Sequence, residues 1–330
     1  MKRYGSLFPA FVSFSNLHLA YQKARKGASA KRETQSFTFH LEEALFALQN
    51  ELQTGTYQPS PYRYFKIYDP KERQISVATF RDRVVHHALI NIMEPIYERS
   101  FIHDSYATRK GKGTHKAGAR AQQFLGRGNW FWKCDIDKYF DSIRQDVLMN
   151  IIGRKIKDQR LLALTGLIIR NGGQDGVGLP IGNLTSQFFA NVYLDRFDHF
   201  VKEELGMSNY LRYMDDFVLF HPDKSVIKSA RPRVEHFLTH QLHLRLKPRA
   251  CFLNHSANGL TFLGRRIFPR LVRIARPNLQ RMKKRITRRE NEYAQGLISS
   301  DKYLAAINSY QAQIAPFPKL HEYLWGASVP

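Results

Sequence analysis

Nowhere does this 330-residue chain hold a run of about 18 apolar residues, the length a membrane-spanning helix needs. Its opening residues, MKRYGSLFPAFVSF, lack the long apolar core and small-residue cleavage site of a secretory signal, so a cytoplasmic protein is expected. Cysteine is nearly absent: Cys134 and Cys251 stand far apart and form no CxxC pair. That argues against a disulfide framework or a cysteine-built zinc site, and it suits a reducing compartment. Acidic residues are scarce too, 28 against 51 lysines and arginines, for a formal net charge of +23. Neither an internal repeat nor a long linker is visible.

What is present points to a polyanionic partner. Hydrophobic residues make up 43% of the chain, enough for a folded core. A charge of +23 repels itself in a compact body, and aromatics at 13% supply flat surfaces on which bases stack. The plain alternative is a basic structural protein such as a ribosomal component. Such proteins are usually smaller and poorer in aromatics.

Residues 17–35 carry Lys23, Arg25, Lys26, Lys31 and Arg32 with little apolar content, and read as an exposed basic arm. In 39–52, Leu41, Leu45, Leu48 and Leu52 recur at spacings of three and four, predicting an amphipathic helix. A second helix is expected over 81–98, with Val84, Val85, Ala88, Leu89 and Ile92 on one side. WFWKCDI (130–136) reads as a buried strand. Phe189, Tyr193, Phe197, Phe200 and Val201 recur at helical spacing between Ser186 and Leu205. YLRY and FVLF then flank Met214-Asp215-Asp216, a β-hairpin pattern without the Asn-Gly turn signal. From Arg276 to Arg289 a basic helix is expected, with Leu279, Met282 and Ile286 on its buried side. Helical patterning softens in the tail, where Pro316 and Pro318 interrupt it.

Carboxylates at three of these places invite chemistry. Asp135 ends the aromatic strand, and Asp215 and Asp216 sit in a turn between apolar strands. Nucleotide addition builds charge on an entering and a leaving oxygen, which two Mg²⁺ ions about 3.5–4 Å apart can offset. Magnesium wants hard oxygen ligands on rigid elements. Each acid also has a bland reading: Asp215 and Asp216 as a solvated turn, and Asp135 as a strand-end acid paired with Lys133 or Lys138.

The order of segments decides between them. PKERQIS, FRDRVVHHALINIMEPIYE, CDIDKYFDSI, GLPIGNLTSQFFANVYLDRFD, LRYMDDFVLF, LHLRLKPRACFL and LTFLGRRI resemble, in sequence, the motifs of reverse transcriptases. The resemblance runs from about Tyr62 to Ile267 and implies an α/β (α+β) right-hand polymerase with fingers, an antiparallel palm sheet and a helical thumb. The divisions expected are a helical and basic extension over 1–60, fingers and palm over 61–275, and thumb over 276–330. By resemblance Asp135, Asp215 and Asp216 are the catalytic carboxylates, Asp216 with the least support as a ligand. The implied metal set is Asp135, Ile136, Asp215 and Asp216, holding Mg²⁺ in a two-metal site where Mn²⁺ can substitute. Arg73, assisted by Lys71, matches the triphosphate-binding position, and Phe140 matches a bulky gate against ribose. An ordinary core phenylalanine is the alternative for Phe140.

A narrower resemblance is to the reverse transcriptases of diversity-generating retroelements. Where most relatives carry Gln-Gly…Ser-Pro, this chain reads Ile181-Gly182-Asn183-Leu184-Thr185-Ser186-Gln187. Ile181, Gly182 and Gln187 are therefore placed at the nucleotide site. The resemblance implies error-prone copying of a structured template RNA opposite adenine, with dNTPs as substrates, an RNA–cDNA duplex as product, and a small basic helical-bundle accessory protein as partner. A faithful retron-like or group II intron-like enzyme is the rival, and a catalytically idle nucleic-acid-binding scaffold is a third reading. One departure stands out. Ala250 occupies the position of a lysine proposed in relatives to protonate pyrophosphate, with Lys247 and Arg249 nearby.

The basic, glycine-rich stretch 107–120, with Arg109, Lys110 and Lys112, resembles a template-tracking segment. Phe262, Leu263 and Gly264 resemble the support for the primer end, and Lys283, Lys284 and Arg288 lie on the helix resembling a thumb. A solvated charged face is the alternative for that helix. His236, His240 and His243 fit one helical face, but no acid or cysteine completes a zinc site, so a structural or surface role is expected.

Overall fold

The computed structural model describes residues 2–68, 71–127 and 130–314. The N-terminal part folds into helices α1 (Phe8–Phe11), α2 (Phe14–Arg25), α3 (Arg32–Phe39) and α4 (Leu41–Thr54). This corrects the exposed arm expected over 17–35. Leu17, Ala20, Tyr21 and Ala24 are all buried, at the i, i+3, i+4, i+7 spacing of one helical face. The Ser13 hydroxyl starts α2 by accepting a hydrogen bond from the Asn16 N–H. The basic residues merely coat the outer side.

Strands β1 (Arg63–Tyr68) and β2 (Glu72–Val77) form an antiparallel hairpin, followed by the long α5 (Phe80–Glu98) and by α6 (Thr114–Leu125). Strand β3 (Trp130–Asp135) leads into the one-turn α7 (Tyr139–Ser142), then α8 (Gln145–Lys155), α9 (Gln159–Arg170) and α10 (Leu184–His199). The last continues as a wider π turn over Phe200–Glu204. The hairpin β4 (Tyr210–Tyr213) and β5 (Asp216–His221) comes next, then α11 (Lys224–Leu242) and β6 (Phe252–His255). A three-stranded sheet of β7 (Leu260–Phe262), β8 (Arg265–Ile267) and β9 (Val272–Ile274) precedes α12 (Arg276–Ala294) and α13 (Ser300–Ile314). Pro316 and Pro318 lie outside the described residues.

The central sheet runs β4-β5-β3-β6 and is antiparallel throughout. Strand alternation gives it two apolar faces. Trp132, Cys134, Tyr210, Phe217 and Leu219 join the main core, shared with α5, α10, α11 and the N-terminal helices. Phe131, Leu211, Val218 and Phe220 join a second core with α6 and the β7–β8 hairpin. A third, small cluster packs Met282 and Ile286 of α12 against Ile307 of α13. Among the described residues no helix is long and apolar enough to cross a membrane.

Helix α10 is buried on nearly all sides, so its polar residues need internal partners. Asp195 is shared by two cations, Lys155 Nζ at 3.3 Å and His199 Nε2 at 3.5 Å. The Asp195 carboxylate, helped by Glu203 at 2.6 Å from Nδ1, pushes the His199 imidazolium up to about 10. A raised histidine stabilises the fold fully below its unfolded value near 6.5, and that stabilisation is lost as pH climbs through about 10. His199→Ala should therefore cost about 1–2 kcal/mol at acid-to-neutral pH, modest because the ring is 37% exposed. Urea denaturation across the range from about pH 6 to about pH 10 should show the gap to wild type closing.

Candidate active site

Asp135 closes β3 directly opposite Asp216, the first residue of β5. Strands β4 and β5 are joined through Met214 and Asp215, since Tyr213 pairs with Asp216. Met214 has φ 56°, and Asp215 is not in the positive-φ region. That is the pattern of a type II′ turn, whose first central position normally takes glycine. A methionine there costs on the order of 1–2 kcal/mol, and such strain persists only where surroundings impose it. The hairpin was legible, but its turn is a constrained one that propensity does not favour.

Like charges facing each other across a strand pair repel. Burial, and then the Asp135 carboxylate, push the Asp215 carboxyl up to about 6. Burial and then Asp216 also raise Asp135, against the opposing charges of Lys133, Lys247 and Lys71. Lys133 Nζ lies 2.9 Å from Asp216 Oδ1, out of line for a hydrogen bond, and that buried oxygen has no hydrogen-bond donor. Lys133 thus pairs with Asp216, not with Asp135 as the strand-end reading had it. Among the described residues, no three carboxylate, histidine or cysteine side chains are gathered into a closed metal-ligand set. The donor chemistry nonetheless fits a hard cation: two carboxyls raised by burial and a neighbouring carboxylate, and one carboxylate oxygen without a hydrogen-bond donor, at one strand end. Ile136 is 1% exposed and apolar, so only its main chain could serve such an ion.

The β1–β2 hairpin overhangs this end of the sheet. Arg73 is exposed, and its charge acts on Asp215 while that of Lys71 acts on Asp135. The 181–183 segment docks on β2: the Ser76 N–H donates to the Ile181 carbonyl at 2.8 Å, and Asn183 Nδ2 to the Ser76 carbonyl at 3.3 Å. Gly182, at φ 112°, is required there. A Cβ would stand 2.8 Å from Ile75 Cγ2 and 2.9 Å from the Ser76 carbonyl oxygen. Ile181 is half-buried beside this contact, and Gln187 is half-buried in the first turns of α10. Phe140 stands on α7, half-buried, with its ring against Tyr139 at 5.7 Å and its carbonyl bound by the Leu179 N–H at 2.8 Å.

Two of the expected nucleic-acid contacts are corrected. The Arg109 side chain is only 6% exposed; it grips Glu98 through Nε and Nη2 and donates from Nη1 to the carbonyls of Ile102 and Ser105. Its fork is consumed internally and holds the loop, leaving exposed Lys110 as the outward cation. Lys112 donates to the His103 carbonyl at 2.7 Å over the Tyr106 ring. Phe262 is likewise a core group, 1% exposed. Leu263 and Gly264, at φ 48° and 76°, make the two-residue β7–β8 turn. The Gly264 carbonyl accepts from the Ala275 N–H at 2.9 Å, docking the turn on the start of α12. A cavity of about 350 Å³ opens there, lined in part by His115, Gly264, Arg265, Arg281 and Arg285. Lys284 and Arg288 are exposed along α12, and Lys283 is half-buried. His236 and His240 stack at 4.0 Å on α11, and His243 caps that helix.

Sequence reasoning singles out neither Arg212 nor Asn191, and it names Lys247 only as a neighbour of Ala250. Lys247 binds the Asp135 carbonyl through its N–H at 2.9 Å and sets its charge against that carboxylate. Arg212, wholly buried, donates to the Met214 carbonyl at 3.0 Å, and Asn191 receives a bond from the same guanidinium. Within YLRY nothing distinguishes Arg212 from an outward-facing strand residue; its partner on α10 is what identifies it.

The chain is similar to known proteins over most of its length. A family model described as reverse transcriptase (RNA-dependent DNA polymerase) matches residues 68–267. Protein YkfC of Escherichia coli (strain K12) is 30% identical over 268 residues, covering 67% of this chain and 70% of that protein. Group II intron-encoded protein LtrA of Lactococcus lactis subsp. cremoris is 30% identical over 205 residues, covering 58% of this chain and 33% of its own length. Apo telomerase from Candida tropicalis aligns with a TM-score of 0.53 at 12% identity, over 70% of this chain and 52% of that one, a likeness of fold alone. The chain thus spans about a third of the intron-encoded protein and about half of the telomerase chain.

Proposed function

This chain belongs to the reverse transcriptase family, and from that premise we propose that it copies a template RNA into cDNA at the strand end built by Asp135, Asp215 and Asp216. The observation that carries the proposal is the pairing of Asp135 with Asp216 beside the constrained Met214–Asp215 turn, three acids gathered at one strand end where a bound cation would offset their repulsion. Asp135 and Asp215 would hold Mg²⁺, or Mn²⁺ in its place, with Asp216 released from Lys133 as a further oxygen donor. When bound, the metal lowers the pKa of the primer 3′-hydroxyl and offsets charge on the departing pyrophosphate. The rest is positioning by the protein. Arg73, with Lys71, would grip the dNTP triphosphate, Phe140 would exclude a ribose 2′-hydroxyl, and Gly182 would keep Ile181 against the β1–β2 hairpin; the charge of Arg73 on Asp215 and the close contacts at Gly182 support these roles. The Leu263–Gly264 turn and the basic face of α12 suit the RNA–cDNA backbone, read by charge and shape rather than sequence.

The finer reading is an error-prone enzyme of a diversity-generating retroelement, working with a small basic helical-bundle accessory protein. Ile181 and Gln187 support it, since an aliphatic side chain withholds a polar contact that would constrain the incoming pair, about 1–3 kcal/mol of discrimination. The 30% identity to a group II intron-encoded protein is compatible with the rival reading, a faithful group II intron-like enzyme. Sequencing cDNA from a mixed RNA template separates the two. Errors concentrated opposite adenine, and reduced about tenfold in Ile181→Gln, are expected; uniformly accurate cDNA would establish the faithful enzyme.

A further inference from the structure

Beneath the catalytic turn lies a polar cluster with no access to solvent. The Arg212 guanidinium, 0% exposed, forms a two-pronged pair with Asp198, Nε to Oδ1 and Nη2 to Oδ2 both at 2.7 Å. Tyr210 Oη donates to the same carboxylate at 2.7 Å. Because Asp198 neutralises the charge, the remaining Arg212 donors serve geometry. Nη1 donates to the Met214 carbonyl and to Asn191 Oδ1, both at 3.0 Å, and Nη2 donates to Ser105 Oγ at 3.2 Å. Asn191 then passes the link onward, its Nδ2 donating to the Ala107 carbonyl at 2.9 Å and to Thr108 Oγ1 at 3.2 Å.

The cluster therefore joins two residues of strained backbone, Met214 through its carbonyl and Thr108 through its hydroxyl. Met214 and Thr108 both hold left-handed conformations, φ 56° and 50°, that non-glycine residues rarely adopt. The main chain repeats the connection: the Arg212 N–H donates to the Asp104 carbonyl at 2.9 Å, and the Arg212 carbonyl accepts from the Tyr106 N–H at 3.0 Å. A planar fork with fixed donor directions can hold a carboxylate, a carbonyl and an amide together, whereas a lysine ammonium at the same depth cannot. Breaking a purely stabilising ion pair would need none of these bonds to the turn.

Resting on the polymerase reading above, we propose that Arg212, seated on Asp198 and relayed through Asn191, is a positioning residue that fixes the Met214–Asp215 turn in register with the 105–108 segment ahead of the basic loop. Its effect belongs to the chemical step and to the cation site, not to nucleotide binding. A displacement of about 1 Å at such a site can lower turnover about a hundredfold.

The test uses the full chain in two variants. Arg212→Lys keeps the charge on Asp198 but loses the fork. Arg212→Met with Asp198→Leu removes the pair entirely and leaves no buried charge behind, so it stays folded if the single variant does not. Melting curves report folding, single-nucleotide addition on an RNA template reports kcat and KM, and Mn²⁺-dependent melting shifts report cation binding without any turnover. Folded variants should lose kcat by at least about 30-fold with the dNTP KM within about threefold, and should need at least about fivefold more Mn²⁺ for the half-maximal shift. Wild-type kcat and Mn²⁺ response in both folded variants would overturn the proposal, as would a loss of kcat that merely tracks the unfolded fraction. A wild-type chain inactive on RNA would count against the polymerase reading alone; the Mn²⁺ shifts would still decide for or against Arg212.

Discussion

Asp215→Asn is expected to abolish DNA synthesis and, in metal-free buffer at neutral pH, to give a protein that melts higher than wild type. The two effects have one cause. Burial and the neighbouring Asp135 hold the Asp215 carboxyl up at about 6, so ionising it in the folded protein costs more than in the unfolded chain. With a folded value above the unfolded one, stability is fully present below the ordinary carboxylate range and is lost as pH rises through about 6. Asparagine removes that loss. The gain should be absent below about pH 4 and complete above about pH 6, at about 1–2 kcal/mol or roughly 2–5 °C. Activity moves the other way, falling on the order of 10³–10⁴-fold, the scale on which removal of a single catalytic group acts. Saturating Mn²⁺ should reverse the order of melting, because a ligand at a hundred times its Kd stabilises by about 2.7 kcal/mol and the variant has lost a donor for it. Equal melting temperatures in metal-free buffer at every pH would mean that Asp215 is an ordinary solvated turn residue.

Phe140→Val is expected to let ribonucleotides in. The ring stands five residues beyond Asp135, on a turn pinned by the Leu179 N–H and by contact with Tyr139. Tyr139 is itself anchored, its hydroxyl donating to the Ala190 carbonyl. A gate must be rigid to discriminate a single hydroxyl, and Phe140 is held by main chain as well as by packing. Shortening it should leave dNTP addition within a few-fold of wild type while preference for deoxyribose over ribose falls roughly 10–100-fold. Competition between dCTP and CTP on an RNA template measures the ratio. An unchanged ratio with a lowered melting temperature would make Phe140 a core residue and nothing more.

Much of the fold around the candidate site could be read from the chain because it is built from local patterns. The aromatic run ending at Asp135, the apolar runs around Met214, and the heavily apolar α10 declare themselves through period and composition. The misreadings arise where a residue's role depends on distant partners. Arg109 looks like a phosphate ligand until Glu98 and two carbonyls occupy its fork. The residues of α2 look solvated because its buried face relies on alanine and tyrosine beneath a basic coat. Phe262 looks like a contact surface, but its ring closes the second core. Arg212 was missed for the converse reason: a charged residue in a short strand gives no sign of burial until Asp198, fourteen positions earlier, lies beneath it.

The most direct measurement is primer extension on a mixed-sequence RNA template with four dNTPs and Mg²⁺, wild type beside Asp215→Asn, repeated with template RNA and accessory protein added. Full-length cDNA from the wild type and none from the variant is the expected result. No cDNA from either, with every partner present, would contradict a polymerase at Asp135 and Asp215 and leave a nucleic-acid-binding scaffold.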